Sequence, residues 1–367
     1  MYRNSYGEVD LDAITWNVHH FISEYPQYHY YFWVVKADSY GHTGNEVVKA
    51  IIDGWCNYPC VATLDEALEI RKEIKEIPIL CLGIIPLQYL QICREQGITI
   101  TISNGEYLDQ VIKLGLKDLK VHLKVNSGMN RLGFKTSTEL QDAFEKIQDS
   151  SLFLEGIFTH FYDAMSPIHN EEQYQKFLQI TSWIDLKKIP IVHLAASDAT
   201  MQLPKYEIMN GCRLWIVMYG LQDSEHFQGK STFSLYSEVI QVNELVAGET
   251  LWYGGIFKAE QNTKIAVVPI GYADGILRKN TWRTVFIHNK EYPIVGNICM
   301  DMLFVQGDDT IKVGDQVIII KDIEHIKKIA HHLETIPYEV LCSISKRVPR
   351  IYKKRGLMDK NGCYFER

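Results

Sequence analysis

The run Val34-Val35-Lys36-Ala37-Asp38-Ser39-Tyr40-Gly41-His42 puts a lysine at the end of an apolar, strand-like stretch, with a turn-rich loop behind it. A partly desolvated amine holds its proton less tightly, and a neutral amine can form a Schiff base with an aldehyde. The same position suits a lysine that buries its stem and keeps its ammonium in water, so position alone leaves both readings open. Tyr272, in Ile270-Gly271-Tyr272-Ala273-Asp274-Gly275, is a second candidate for proton chemistry. Its phenol precedes a tight Asp-Gly turn and could equally cap a strand. His160 and His193 each sit beside an apolar run, where a histidine serves as readily in a hydrogen-bonded core as in proton transfer.

Such groups need a scaffold, and the apolar pattern describes one. Strand-like runs fall at residues 30–35, 60–63, 77–82, 98–102, 119–125, 153–158, 191–195 and 214–218. Stretches of helical spacing separate them, such as Val47, Val48, Ile51 and Ile52, or residues 64–71 with their acids first. Near-continuous apolar strands alternating with helices predict a parallel sheet buried on both faces. About eight such units match a closed (β/α)8 TIM-type barrel, an open doubly wound sheet being the alternative. Near Thr232 helical spacing gives way to short strands at 237–242, 263–270, 284–288, 292–298, 302–306 and 316–320, with one helix at 323–333. The expected division is a barrel over residues 1–232, whose first strand could join the second unit, and a β-rich C-terminal domain over 233–367.

Composition narrows the function classes. Of the 367 residues, 46% are apolar and 23% charged, which is globular, and 38 basic against 45 acidic side chains give a net charge of −7. A sequence-wide basic field for nucleic acid is therefore not expected. Eight cysteines are scattered, most of them in apolar runs, and only Cys56 and Cys60 lie close together. They read as reduced thiols of a cytoplasmic protein, with no metal site. The start carries no signal-peptide core, and the longest apolar stretch, 77–93, is too interrupted to span a bilayer.

Residues 35–42 also resemble the pyridoxal-phosphate signature of the alanine racemase family. The likeness continues in family order through Lys124-Val125-Asn126-Ser127-Gly128-Met129-Asn130-Arg131, Thr159-His160-Phe161, His193-Leu194-Ala195-Ala196-Ser197, residues 213–220, Gly271-Tyr272-Ala273-Asp274-Gly275, Cys299-Met300-Asp301 and Arg347-Val348-Pro349-Arg350. The resemblance implies a racemase acting on alanine, serine or both, with pyridoxal 5'-phosphate as cofactor. Lys36 would be the Schiff-base lysine and one of two acid–base groups. Tyr272 would be the other, supplied across a homodimer interface by the partner chain. Arg213 would face the pyridine nitrogen, and His160 and His193 would join the chain of hydrogen bonds from Arg213 to Tyr272. Tyr40, Ser197 and the backbone amides near Trp215 and Ile216 would hold the phosphate. Arg131 and the Met300 amide, with Asp301 beside it, would receive the substrate carboxylate, and Lys124 matches a lysine that the family often carbamylates.

Several positions depart from the family pattern. Ala196 stands where asparagine is common, Trp215 replaces a glycine, and Lys346 stands where a tyrosine usually lines the phosphate and the substrate pocket. The loss of that tyrosine is expected to loosen specificity toward serine. The racemase domains of membrane-bound vancomycin-resistance serine racemases belong to the same family. The chain is thus expected to be a free cytoplasmic enzyme or the cytoplasmic domain of a membrane protein. A decarboxylase of the same architecture, or a non-catalytic carrier of the cofactor, is the alternative.

Overall fold

The computed structural model describes residues 2–221 and 227–354, so Cys363 lies outside the described residues. The first strand, β1 (Tyr6–Asp10), precedes eight parallel strands that close on themselves. These are β2 (Tyr30–Val34), β3 (Tyr58–Val61), β4 (Ile79–Cys81), β5 (Ile98–Ile102), β6 (Lys120–Lys124), β7 (Phe153–Phe158), β8 (Ile191–Ala196) and β9 (Gly211–Leu214). Closure comes from β9 pairing with β2, Tyr30 opposite Gly211 through Trp33 opposite Leu214. The alternation in the sequence predicts this barrel, and helices cover its outside. Two of them start with reciprocal caps: Thr63 with Glu66 opens Leu64–Glu73, and Thr136 with Glu139 opens Ser137–Gln148.

The expected strand at 214–218 is not there. The ladder ends at Leu214, the backbone turns at Trp215 (φ −139°, ψ −92°), and Ile216–Tyr219 form one 3₁₀ turn closed by left-handed Gly220. Those four side chains are buried, and the Met218 carbonyl accepts from Asn17 Nδ2 of the helix Leu11–Glu24. A fully buried turn is as apolar as a buried strand, so hydropathy does not distinguish them.

The second unit is β-rich. Strand β10 (Phe233–Glu238) pairs antiparallel with β1, and β1 pairs parallel with Arg350–Lys353. Gln316–Ile320, Thr284–Ile287 and Lys290–Pro293 extend this sheet on the β10 side. The single run expected at 237–242 is two strands. Val239 N–H donates to Asp315 O and Ile240 N–H to Val267 O, so the chain leaves one sheet there and enters a second, formed by Gln241–Leu245, Thr263–Val268 and Leu303–Gly307. A helix at Pro337–Ser343 joins the expected one at Ile323–Leu333. Among the described residues no helix is long and apolar enough to cross a membrane.

The loop after β2 has an uncommon conformation. Ala37, Asp38, Ser39 and Tyr40 all have φ between 51° and 59°, a left-handed turn built without glycine. Each such residue costs roughly 1–2 kcal/mol, so its surroundings must hold it. Glu66 Oε1 accepts from Ala37 N–H (2.7 Å), and Arg350 of the β-rich unit donates to Gly41 O through Nε and a terminal nitrogen (3.0 and 2.8 Å). Gly41 ends the turn at φ +79°, where a Cβ would run into the Leu341 carbonyl. Gly41→Ala should therefore lower stability by roughly 1–3 kcal/mol in denaturant unfolding; an unchanged midpoint would show that the turn is not held there.

Candidate active site

The barrel strands deliver their C-terminal residues to one cavity of about 500 Å³, lined by Lys36, Lys124, Arg131, His160, Arg213 and Trp215 among others. Active sites of this fold lie at that end of the barrel. Lys36 lies two residues past the end of β2 and is half-buried; burial and the charge of Arg131 lower its pKa. Lys124, the last residue of β6, is buried with its Nζ 4.3 Å from the centre of the Phe158 ring. Burial, Arg213 and Arg131 bring its pKa down to about 7. Four basic side chains around one cavity form a strong anion-attracting field.

Arg213 is the best-connected of the four. One terminal nitrogen donates to His193 Nδ1 (2.7 Å) and His193 O (3.0 Å). The other donates to Leu194 O (2.7 Å), Thr159 O (2.9 Å) and His160 Nδ1 (3.1 Å). None of these partners is a carboxylate. Burial lowers the guanidinium's pKa to about 10, which still leaves it charged at neutral pH. An arginine only donates, so both histidines must accept at Nδ1, and each carries its proton on Nε2 when neutral. Burial and Arg213 hold both imidazoles well below their ordinary pKa, so they are neutral.

Other expected site residues lie beside or beyond the cavity. Tyr40 and Ser197 are buried next to it; Trp215 N–H donates to Ser197 Oγ (3.2 Å), and the Tyr40 hydroxyl has no partner among the described residues. Ile216 is buried in the turn after Trp215. The Trp215 indole does line the cavity and meets His160 edge-on, with ring centres 5.4 Å apart. Lys346 does not line it. Its side chain is 82% exposed, with the ammonium 3.3 Å from Asp38 Oδ2, on a neighbouring cavity. A charged amine takes water and a carboxylate in preference to an apolar wall, so the lysine turns away from the cavity and does not fill it.

Tyr272, Met300 and Asp301 line a different cavity, on the β-rich unit. The Tyr272 turn is pinned from the chain's start: Arg3 grips Asp274 with both terminal nitrogens (2.7 and 2.9 Å) and also donates to Pro269 O (2.7 Å). Asp274 in turn accepts from Gly271 N–H (3.1 Å). Arg347 pairs with Asp301 at 2.7 Å. Tyr272 is 40% exposed and Met300 52%, with Trp252 and Tyr253 also exposed beside them. Sequence reasoning passed over Arg3, and also His122 and Glu155 behind Arg213. His122 and Lys124, two apart in an apolar strand, were the available signal, because that spacing puts both on one face.

A (β/α)8 barrel bearing a lysine at a strand end, joined to a β-rich unit bearing the tyrosine, defines a two-unit barrel enzyme class. The chain belongs to the alanine racemase family: the family's N-terminal domain matches residues 9–223 and its C-terminal domain residues 232–352. It is 37% identical to alanine racemase 1 of Bacillus subtilis strain 168, over 97% of this chain and 94% of that one. It is 37% identical to the alanine racemase of Streptococcus gordonii, over 96% and 99%. The crystal structure of the Enterococcus faecalis enzyme superposes with a TM-score of 0.91 at 34% identity, over 96% of this chain and 99% of that one. That of the Bacillus anthracis enzyme with bound L-Ala-P also gives 0.91, at 33% identity, over 100% and 97%.

Proposed function

We propose that this protein interconverts L- and D-alanine with pyridoxal phosphate as cofactor, using Lys36 and the partner subunit's Tyr272 as its two acid–base groups. The observation that carries the reading is a set of unmet polar groups around one cationic cavity. Lys36 brings an amine of lowered pKa. Arg213 Nε, alone among that side chain's nitrogens, has no hydrogen-bond partner among the described residues. The buried Tyr40 hydroxyl has none either. An amine, a free guanidinium N–H and a buried hydroxyl are what an aldehyde, a pyridine nitrogen and a phosphate require, so the residues present fit the group.

The bound cofactor withdraws electrons from the substrate's Cα and so makes the α-proton acidic. The chain's own residues do the rest. Lys36 Nζ would hold the cofactor and would take or return the α-proton on one face. Arg213 keeps its own proton, and a ring nitrogen set against it would stay without one. Ser197, Tyr40 and the Ile216 amide would hold the phosphate, joined by the Trp215 amide on leaving Ser197 Oγ. Arg131 offers a planar fork to the substrate carboxylate, which the Met300 amide, steadied by Asp301 and Arg347, approaches from the second copy. His160, its Nδ1 taken by Arg213, presents Nε2–H to the incoming Tyr272 oxygen. Two bases are needed because one alone returns the proton to the face it left.

Tyr272 reaches a Lys36 cavity only if another chain brings it, and the exposed Trp252, Tyr253, Tyr272, Met300 face suits burial against a second copy. A homodimer with shared sites follows. At Lys124 the lowered pKa leaves a share of the amines neutral; that form can add CO2 and release one proton, and the carbamate anion so formed would steady Arg131. Alanine, the substrate named for the relatives, is the reading the comparisons support.

Tyr272→Phe should lower turnover from L-alanine by about 10²- to 10⁴-fold in a chiral assay while the bound cofactor's visible absorbance persists. Full activity of that variant would remove the phenol from the mechanism. With 13C-labelled bicarbonate, the wild-type protein should show a carbamate carbon signal that Lys124→Arg abolishes. A signal surviving in the variant would place the modification elsewhere.

A further inference from the structure

A polar chain runs from Arg213 down the inside of the barrel, and nothing in the proposed reaction uses it. Beyond the contact from Arg213 to His193 Nδ1, His193 Nε2 lies 3.1 Å from His122 Nδ1, and His122 Nε2 lies 3.2 Å from Glu155 Oε2. Both imidazoles are fully buried and Glu155 is 6% exposed. The donors fix the direction of every link. Arg213 only donates, so the single proton of neutral His193 is on Nε2 and goes to His122 Nδ1. The proton of His122 is then on Nε2 and goes to the carboxylate. The chain has a cation at the cavity, an anion near the other end of the barrel, and two neutral rings of one defined tautomer between them.

The backbone is shaped for this arrangement. The register between β6 and β7 shifts, Val121 facing Leu154 and His122 facing Gly156, so Glu155 is the extra residue of a bulge. Bulges re-aim side chains. A Cβ on Gly156 would lie 2.5 Å from the His122 ring, so only glycine leaves the imidazole its place. Phe32 and Phe158 stack on His193, with ring centres at 4.3 and 4.7 Å, and hold its plane. Every other partner of Glu155 is a donor: Tyr58 OH, Thr99 Oγ1 (2.9 Å) and Lys120 Nζ (2.7 Å). Burial alone would raise this carboxyl's pKa, but hydrogen bonds from His122, Lys120 and Tyr58 outweigh it and hold the group ionised, at about 2.

We propose that Glu155 is a positioning residue for Arg213: through His122 and His193 it fixes the tautomer that lets His193 accept from the guanidinium, and so holds that cation aimed into the cavity. Its catalytic consequence rests on the reading of Arg213 as the group that faces the cofactor ring; the chain itself rests on the hydrogen bonds alone. Tyr58, Thr99 and His122 converge on Oε2 of Glu155, whereas Oε1 meets Lys120. An amide here keeps its oxygen toward the three donors and its NH2 toward the half-exposed Lys120, so Glu155→Gln preserves the acceptor. Glu155→Leu removes it, and nothing then holds the proton of His122 on Nε2.

The test is the 15N ring spectrum of histidine-labelled full-length protein, with and without cofactor, assigned with single His→Asn variants. In the wild type both Nδ1 atoms should be unprotonated and both Nε2 atoms protonated, in either state. Glu155→Leu should deprive His122 of its fixed Nε2–H tautomer, seen as protonation of Nδ1 in part of the rings, and lower kcat by about tenfold with little change in KM, whereas Glu155→Gln should keep the wild-type tautomers. A wild-type His122 protonated on Nδ1, or wild-type tautomers and kcat in Glu155→Leu, overturns the proposal. If Glu155→Leu does not fold, the wild-type spectrum still decides the tautomers and Glu155→Asp supplies the kinetic comparison. Absence of alanine racemisation would leave the ring spectra as expected, so failure of the functional reading is distinguishable from failure of the chain.

Discussion

One separation governs the rest of the molecule: Lys36 begins the turn after a barrel strand, whereas Tyr272 sits on a turn of the β-rich unit and opens into a different cavity. Both groups are held firmly where they are. The left-handed turn after Lys36 is tied to Glu66 and Arg350, and the Tyr272 turn is tied through Asp274 to Arg3. Neither can swing to the other without breaking buried or charge-assisted hydrogen bonds. A reaction needing both must bring them together by association, and a two-fold arrangement would then complete two sites at once.

Within the barrel the electrostatics are equally constrained. A buried guanidinium without a carboxylate beside it is costly unless dipoles surround it. Here three carbonyls and two imidazoles do so, and those imidazoles must be neutral and oriented to accept. Barrel interiors of this fold are commonly layers of branched apolar side chains. In this one His122, His193, Glu155 and Thr99 take such places, and the β6–β7 bulge with Gly156 makes room for them. The proton positions of the site are thereby set in advance of any substrate, which is the meaning of electrostatic preorganisation.

Much of the architecture was legible from hydropathy because parallel strands covered on both faces are nearly continuous apolar runs. Residues 98–102, 153–158 and 316–320 are strands with the expected bounds. The misreading at 214–218 arose because a buried 3₁₀ turn has the same composition. The turn at 37–40 was not legible as left-handed, since alanine, aspartate, serine and tyrosine do not announce positive φ as glycine does. Family motifs pointed to Lys36, Lys124, Arg131, His160, Arg213 and Trp215, which the fold gathers into one cavity, but carried no information on rotamers, and Lys346 turned outward to Asp38. His122, Glu155 and Arg3 escaped notice because their importance lies in contacts between residues distant in sequence.

Subunit complementation tests the shared site most directly. Lys36→Ala and Tyr272→Phe homodimers are each expected to be nearly inactive toward L-alanine. When the two are unfolded together and refolded, mixed dimers would pair an intact lysine with an intact tyrosine in one of their two sites. Random pairing then predicts recovery of about a quarter of wild-type racemase activity. No recovery, with mixed dimers demonstrated by mass, would contradict a site built from two chains.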